Sequence, residues 1–147
     1  MPNIDNYGWL FFAALSAVFA SLTAIFGKIG IEGVPSNYGV LVRILVILPF
    51  IGGLVLAAGD WRNPASLSQR TLLFLVLSGL ATGLSWLCYY KALQVGQASQ
   101  VAPVDKLSVI LTMLFGVLVL REELGWKQWL GGALILAGVL LVAMPRK

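Results

Sequence analysis

The chain has 147 residues, of which 59% are hydrophobic and only 11% charged, and its formal net charge is +4. A water-soluble domain carries about a quarter charged residues, so this chain has too little polar surface to cover a globule in water. A basic balance can indicate nucleic-acid binding in a soluble protein. Here the basic residues flank apolar runs, as membrane anchors do, so we expect a lipid bilayer as the surroundings and no nucleic-acid partner.

Histidine is absent and Cys88 is the single cysteine, which excludes a disulfide within the chain and argues against a zinc site. We therefore expect no cofactor and no bound metal. Enzyme chemistry is not expected either. Ser–His catalysis needs a histidine, and a two-Asp protease needs a second acid beside Asp105 inside the apolar segments. Ser108 and Lys106 are two positions apart and so lie on different faces of a helix.

Five apolar stretches are long enough to cross a bilayer, which takes about 20 residues. Short polar links rich in turn residues separate them, so neighbouring helices should run antiparallel. The first stretch is too long for a signal-peptide core and should be retained. The sequence predicts an all-α, multi-pass protein of the inner (plasma) membrane, with one domain over residues 1–147. Its predicted spans are Tyr7 to Ile29, Tyr38 to Ala58, Leu72 to Leu93, Val101 to Leu120 and Trp126 to Met144.

An odd number of spans places the two termini on opposite sides of the membrane. One side then receives Arg62, Arg70, Arg121 and Lys127, and the other receives Lys28, Lys91, Arg146 and Lys147. The Lys/Arg bias that normally fixes orientation is nearly absent. We therefore expect the chain to insert in both orientations. Two copies in opposite orientation would form an inverted-topology pair, which many transporters build within one chain.

Ionisable residues inside the apolar stretches are candidates for a solute site, because such residues are costly in a bilayer and usually face a cavity. Chain direction alone places five of them at one depth: Lys28, Arg43, Lys91, Asp105 and Lys106. Four cations and one carboxylate would form an electropositive vestibule. We expect that vestibule to suit a small solute with an anionic or phosphate group.

Each of these residues also has an interpretation without a solute. Lys28 and Lys91 end their spans, where long basic side chains reach toward the interface. Arg43 and Asp105 would form a structural ion pair. Asp105 would lie in the first turn of a helix that starts at Pro103, where a carboxylate is stabilised in any protein. The sequence leaves these alternatives open.

The third span has a face on which Gly79, Gly83, Trp86 and Tyr90 recur at helical spacing. The G-x-x-x-G pair allows another helix to approach closely. Trp86 and Tyr90 would line a solute path, or would serve aromatic packing and interface anchoring. A stripe of small residues on the first span is interpreted as a packing face; it comprises Ser16, Ala20, Thr23 and Gly27.

The stretch from Tyr90 to Ala143 carries a family resemblance. It reads YKALQVGQASQVAPVDKLSVILTMLFGVLVLREELGWKQWLGGALILAGVLLVA. A Y-x-A-L helix end, a Pro-containing helix, a helix-ending Glu122 and a W-L-G-x-x-L-I-x-x-G last helix resemble the EamA-type branch of the drug/metabolite transporter superfamily. Arg43 in the second span also fits the pattern of that family. The segment A-P-V-D-K-L-S, from Ala102 to Ser108, is similar to the five-span, single-repeat bacterial and archaeal members.

The resemblance implies a cavity lined by the first four helices, a fifth helix that supports or dimerises, and no cofactor. Together with the buried charges and the weak orientation bias, it predicts a secondary transporter that works as a homodimer, an exporter or exchanger of a small polar metabolite with an anionic group. The residues expected at the substrate are Arg43, Asp105, Lys106, Trp86, Tyr90, Lys28 and Lys91. A four-span multidrug pump would need a carboxylate in the first span, where Tyr7 to Lys28 has none. A non-transporting accessory subunit or flippase partner remains the alternative.

Overall fold

The structure is a computed structural model that describes residues 8–144. In this part of the chain all regular structure is helical, and five helical segments are long and apolar enough to cross a membrane. The helices are α1 (Gly8–Gly30), α2 (Ser36–Ala58), α3 (Gln69–Val95), α4 (Ala98–Asp105), α5 (Leu107–Phe115) and α6 (Trp126–Ala143). The predicted all-α fold with five spans is confirmed. Tyr7, Arg146 and Lys147 lie outside the described residues.

The fourth predicted span differs from the expectation in two ways. It begins at Ala98 and is divided at Lys106 into α4 and α5, after which a π-helical turn covers Gly116–Leu120. The ring nitrogen of Pro103 has no hydrogen to donate, which weakens the helix there. The N–H of Lys106 bonds to the Pro103 carbonyl at 3.0 Å, so the chain tightens before α5 begins.

The loop chemistry explains where α2 and α3 begin and end. Gly59 adopts φ 70°, and the N–H groups of Gly59 and Asp60 bond to the carbonyls of Leu56 and Val55, which is the Schellman arrangement at a helix end. The hydroxyl oxygen of Ser68 accepts the N–H of Thr71 at 3.1 Å and so caps the start of α3. Between them lies a short 3₁₀ turn at Pro64–Ser66.

By its internal contacts the chain divides into two compact units. We call Gly27–Val95 the central unit, and Met1–Phe26 together with Gly96–Lys147 the terminal unit. In the central unit α2 packs on α3 around a small core of Ile31, Val40 and Tyr90. In the terminal unit α4 and α5 pack on α6. The expectation of a single domain over residues 1–147 stays a prediction.

Most apolar side chains of the spans are exposed. Buried residues make up between 0% and 11% of the most apolar window of each span. Phe12, Leu48 and Leu118, for example, are about 70% exposed. In water so much exposed apolar surface would drive aggregation, whereas in a bilayer it contacts lipid or another helix. The exposure therefore agrees with a membrane protein.

Candidate functional site

Tyr90 is the best-buried aromatic residue of the central unit, with 5% of its surface exposed. It projects from α3 toward two glycines, Gly27 at the end of α1 and Gly39 on α2. A Cβ built on Gly27 would lie 3.1 Å from the Tyr90 hydroxyl oxygen, and one built on Gly39 would lie 3.6 Å from the ring. The two glycines thus provide the space that the Tyr90 side chain occupies.

Arg43 of α2 reaches this tyrosine. Its Nη1 donates a hydrogen bond of 3.1 Å to the Tyr90 hydroxyl oxygen. Its Cζ lies 4.4 Å from the centre of the Trp86 ring and 5.3 Å from the centre of the Tyr90 ring. Trp86 and Tyr90 are four positions apart on α3 and so lie on one helix face. Two aromatic faces and a phenolic oxygen therefore hold one guanidinium group.

The charge of Arg43 has no acidic partner in the central unit. The acids of that unit are Glu32 and Asp60, and neither pairs with the guanidinium group. A guanidinium group has five N–H donors, of which Tyr90 takes one within this unit. Arg43 is half-buried, so its remaining donors are partly removed from water. Such a group attracts an anion that can accept two hydrogen bonds side by side.

Lys28 and Lys91 lie at the same end of the central unit but differ in their surroundings. Lys28 is half-buried and donates a hydrogen bond of 2.6 Å to the Leu93 carbonyl near the end of α3. Lys91 is exposed, with Nζ 3.4 Å from Oε1 of Gln94. The Gln94 amide in turn donates to the Val34 carbonyl at 2.7 Å. These bonds fasten the turn between α1 and α2 to the end of α3.

An open cavity of about 250 Å³ lies beside these polar groups. It is lined by Lys28, Ile29, Ile31, Glu32, Gly33 and Gln94. Its walls present a cation, a carboxylate and an amide at the end of the first predicted span. Contact of Lys28 with a solute stays a prediction.

Asp105 and Lys106 lie in the terminal unit, at the junction of α4 and α5. Their side chains form an ion pair of 3.3 Å in which Lys106 is 54% and Asp105 36% exposed. The first-turn interpretation of Asp105 is wrong, because the helix begins at Ala98 and the first turn of α5 contains no acid. Pairing of Asp105 with Arg43 of the central unit stays a prediction.

The structure thus brings together Arg43, Trp86 and Tyr90, and it places Lys28 and Lys91 near the same end of α3. Sequence reasoning missed Gly39 and Gln94. It interpreted Gly27 as part of a packing stripe without identifying Tyr90 as its neighbour. The sequence feature that could have identified Gly27 as part of the site was its place on a face of small residues, one position before Lys28. Gln94 had no signal, because a polar residue at a helix end is ordinary.

The expectation of no bound metal and the surroundings of Glu122 can be compared with the described residues. Between residues 8 and 144, no group of three or more Cys, Asp and Glu side chains is arranged to hold a metal ion. The absence of a cofactor stays an expectation. Glu122 forms no ion pair with Arg121; its backbone N–H bonds to the Gly116 carbonyl at 3.0 Å, and its carboxylate folds against Gly116. Glu122 therefore closes the π-helical turn.

Five apolar helices and a half-buried arginine define a polytopic membrane protein with a candidate anion site. Comparison with known proteins places the chain in a family: residues 7–144 match the EamA-like transporter family, and the protein belongs to it. The resemblance drawn from Tyr90 to Ala143 is confirmed. No solved structure gave a match to the chain.

Three relatives illustrate the range of the family. A Sinorhizobium sp protein described as an uncharacterized transporter is 52% identical over 139 residues, which are 95% of this chain and 99% of that protein. A riboflavin transporter of Vibrio cholerae is 32% identical over 143 residues, 96% of this chain but 46% of the transporter. A probable 4-amino-4-deoxy-L-arabinose-phosphoundecaprenol flippase subunit of Proteus mirabilis is 27% identical over 60% of this chain and 79% of its own length.

Proposed function

We propose that this protein is a secondary transporter of a small polar metabolite that carries an anionic group, and that it works as a homodimer in the inner membrane. The observation that carries the proposal is the set of contacts made by the Arg43 side chain. Its guanidinium group lies 4.4 Å over the Trp86 ring, bonds to Tyr90, and has no carboxylate partner in its unit. A partly buried cation whose remaining N–H donors are not taken up within its own unit is suited to an anionic solute.

The neighbouring residues have separate roles in this proposal. Trp86 and Tyr90 shape the site and hold the guanidinium group in place. Lys28 and Lys91 raise the local positive potential at the same end of the central unit and draw the anion in. Lys106 also attracts the anionic group of the solute, and Asp105 balances the cations or carries a proton. Access then alternates as two copies rock about the site.

The homodimer is supported by the length of the relatives and by an open helix face. The chain aligns with 46% of a riboflavin transporter, so two copies supply about the length of that protein. Apart from the adjoining backbone of α3, a Cβ on Gly79 or Gly83 would meet no described atom within 4 Å. Within the central unit the G-x-x-x-G face of α3 is therefore uncovered, and such a face suits close approach by a helix of a second copy. The weak Lys/Arg bias permits the two copies to insert in opposite orientations.

Flux measurements on the purified chain test the function. We propose riboflavin and riboflavin 5′-phosphate as a matched pair of probes, since two riboflavin transporters each align with 96% of the chain and the pair differs by one phosphate. Vesicles of phosphatidylethanolamine and phosphatidylglycerol would contain the full chain. We expect flux of anionic solutes from a panel that includes the phosphate ester. Absence of flux for every anionic solute would refute the proposal.

Arginine substitution connects that flux to the site. Arg43→Ala should lower the flux of the anionic solute by about 10- to 100-fold, which corresponds to a charge-assisted hydrogen bond of about 1.5–3 kcal/mol. Arg62→Ala is the matched control, because Arg62 is exposed in the loop between α2 and α3. Equal flux in both variants would assign Arg43 a structural role.

An accessory subunit is the alternative, favoured by the similarity to the Proteus mirabilis flippase subunit. Under that alternative the purified chain alone would move no solute, and it would co-purify with a second, different membrane protein. Affinity purification in mild detergent, followed by mass spectrometry of the complex, separates the two functions. A complex that contains two copies of this chain and no other protein supports the transporter.

A further inference from the structure

We infer that Tyr90 is the positioning residue for Arg43, and that Gly27 lacks a side chain so that the Tyr90 hydroxyl can reach the guanidinium group. The inference rests on the proposed role of Arg43 and assigns the orientation of its charge to the Tyr90 hydroxyl group and to the missing side chain at Gly27. It concerns a three-helix contact in which the end of α1 determines the position of a cation on α2 through a tyrosine on α3.

The first step is the position of the hydroxyl group. The Tyr90 hydroxyl oxygen accepts a hydrogen bond from Arg43 at 3.1 Å. The same oxygen lies 3.1 Å from the site of a Cβ on Gly27, and the ring carbon that carries it lies 3.3 Å away. Distances this short are tighter than ordinary carbon contacts. A side chain at Gly27 would therefore displace the atom that holds Arg43.

The second step is that the tyrosine cannot move aside freely. Its ring packs in the core of the central unit with Ile31 and Val40 and is 5% exposed. Gly39 faces the other part of the ring, where a Cβ would meet Tyr90 at 3.6 Å, an ordinary contact distance. A methyl group at Gly39 is therefore tolerated, whereas a methyl group at Gly27 pushes on the hydroxyl end. We therefore expect Gly27→Ala to disturb the position of Arg43 and Gly39→Ala to leave it unchanged.

The third step concerns what Arg43 does without the hydroxyl group. An arginine side chain has several rotatable bonds, and fixing them costs conformational entropy. The Trp86 and Tyr90 faces attract the cation without fixing its direction, because a π face offers no single acceptor atom. The hydrogen bond to Tyr90 supplies that direction. Removal of the hydroxyl oxygen frees the guanidinium group to leave its position over the Trp86 ring.

A fluorine resonance at Trp86 reports the position of Arg43 without any solute. The full chain is labelled with 5-fluorotryptophan, and the Trp86 line is assigned among the five tryptophans by its loss in Trp86→Phe. Arg43→Gln defines the resonance without a cation over the ring. We expect Tyr90→Phe and Gly27→Ala to move the line at least about half of the way to that position. Gly30→Ala, whose Cβ meets nothing within 4 Å, and Gly39→Ala should leave it near the native value.

A double substitution identifies the cause. Because the tightest contact at Gly27 is with the hydroxyl oxygen, Gly27→Ala should shift the line less in a Tyr90→Phe background than in the native chain. A native resonance in Tyr90→Phe, or no shift in Arg43→Gln, would overturn the inference. If Gly27→Ala fails to fold, the Trp86 resonance of Tyr90→Phe alone still tests whether Tyr90 positions Arg43. A shifted resonance in a chain that moves no anionic solute would refute the proposed function while leaving the positioning of Arg43 intact.

Discussion

The Nζ atom of Lys106 lies 3.3 Å from Oδ2 of Asp105, its immediate neighbour in sequence. The pair sits where α4 ends and α5 begins, and both side chains are substantially exposed. Exposed ion pairs contribute about 0–1 kcal/mol to stability, because solvent screens the attraction and both side chains lose freedom. The charge of Asp105 is therefore poorly explained by folding alone.

From this relationship we predict that Asp105→Asn leaves stability nearly unchanged and abolishes anion flux. The free energy of unfolding should shift by less than about 1 kcal/mol, as measured by thermal unfolding in detergent. Flux is measured in vesicles with the same solute panel. Asp60→Asn, in the exposed loop after α2, is the control for loss of one carboxylate. Full flux in Asp105→Asn would remove Asp105 from the transport mechanism.

A second prediction concerns the contact between α5 and α6. Gly132 of α6 is buried, and a Cβ there would lie 3.0 Å from the sulfur of Met113 and 3.5 Å from Ile110. Gly132→Leu should therefore destabilise the protein by about 1–3 kcal/mol through overpacking. Gly131→Leu, one position away, should have a far smaller effect because a Cβ there meets nothing within 4 Å. The measurement is the unfolding midpoint of both variants. Equal midpoints would contradict the close packing of Gly132 against α5.

Part of this structure was predictable from the sequence, for physical reasons that differ between elements. Hydropathy alone locates the spans, because about 20 apolar residues have no other stable environment. The spacing of Trp86 and Tyr90 places both on one face of α3. Helical periodicity cannot say which residue of α1 faces that stripe, so the contact of Gly27 with Tyr90 was not predicted. The division at Lys106 was missed because proline is tolerated in membrane helices.

The left-handed backbone of Arg121 gives a third prediction. Arg121 ends the π-helical turn with φ 57° and ψ 35°, a conformation that is strained for residues with a Cβ. Arg121→Gly should therefore be more stable than Arg121→Ala by about 1 kcal/mol, since both variants lose the same charge. Arg62 has no positive φ, so Arg62→Gly should be no more stable than Arg62→Ala. Thermal unfolding of the four variants measures these differences in stability. Greater stability of Arg121→Ala than of Arg121→Gly would contradict backbone strain at Arg121.

A fourth prediction concerns orientation in the membrane. The two sides of the membrane receive nearly equal numbers of Lys and Arg, so the native chain should insert both ways. A C-terminal reporter that is active on one side only should give a signal on each side in cells. Three lysines added to the loop between α2 and α3, or to the turn between α1 and α2, should each fix one orientation, and the two variants should be opposite.

These two biased variants also test the antiparallel pair. If the transporter needs one copy in each orientation, either variant alone should lose most of its flux, and co-expression of both should restore it. Three added serines at the same positions control for the length of the insertion. Full flux from one biased variant alone would show that copies of a single orientation suffice. The dimer would then be parallel, and its site would be formed by like ends of the two chains.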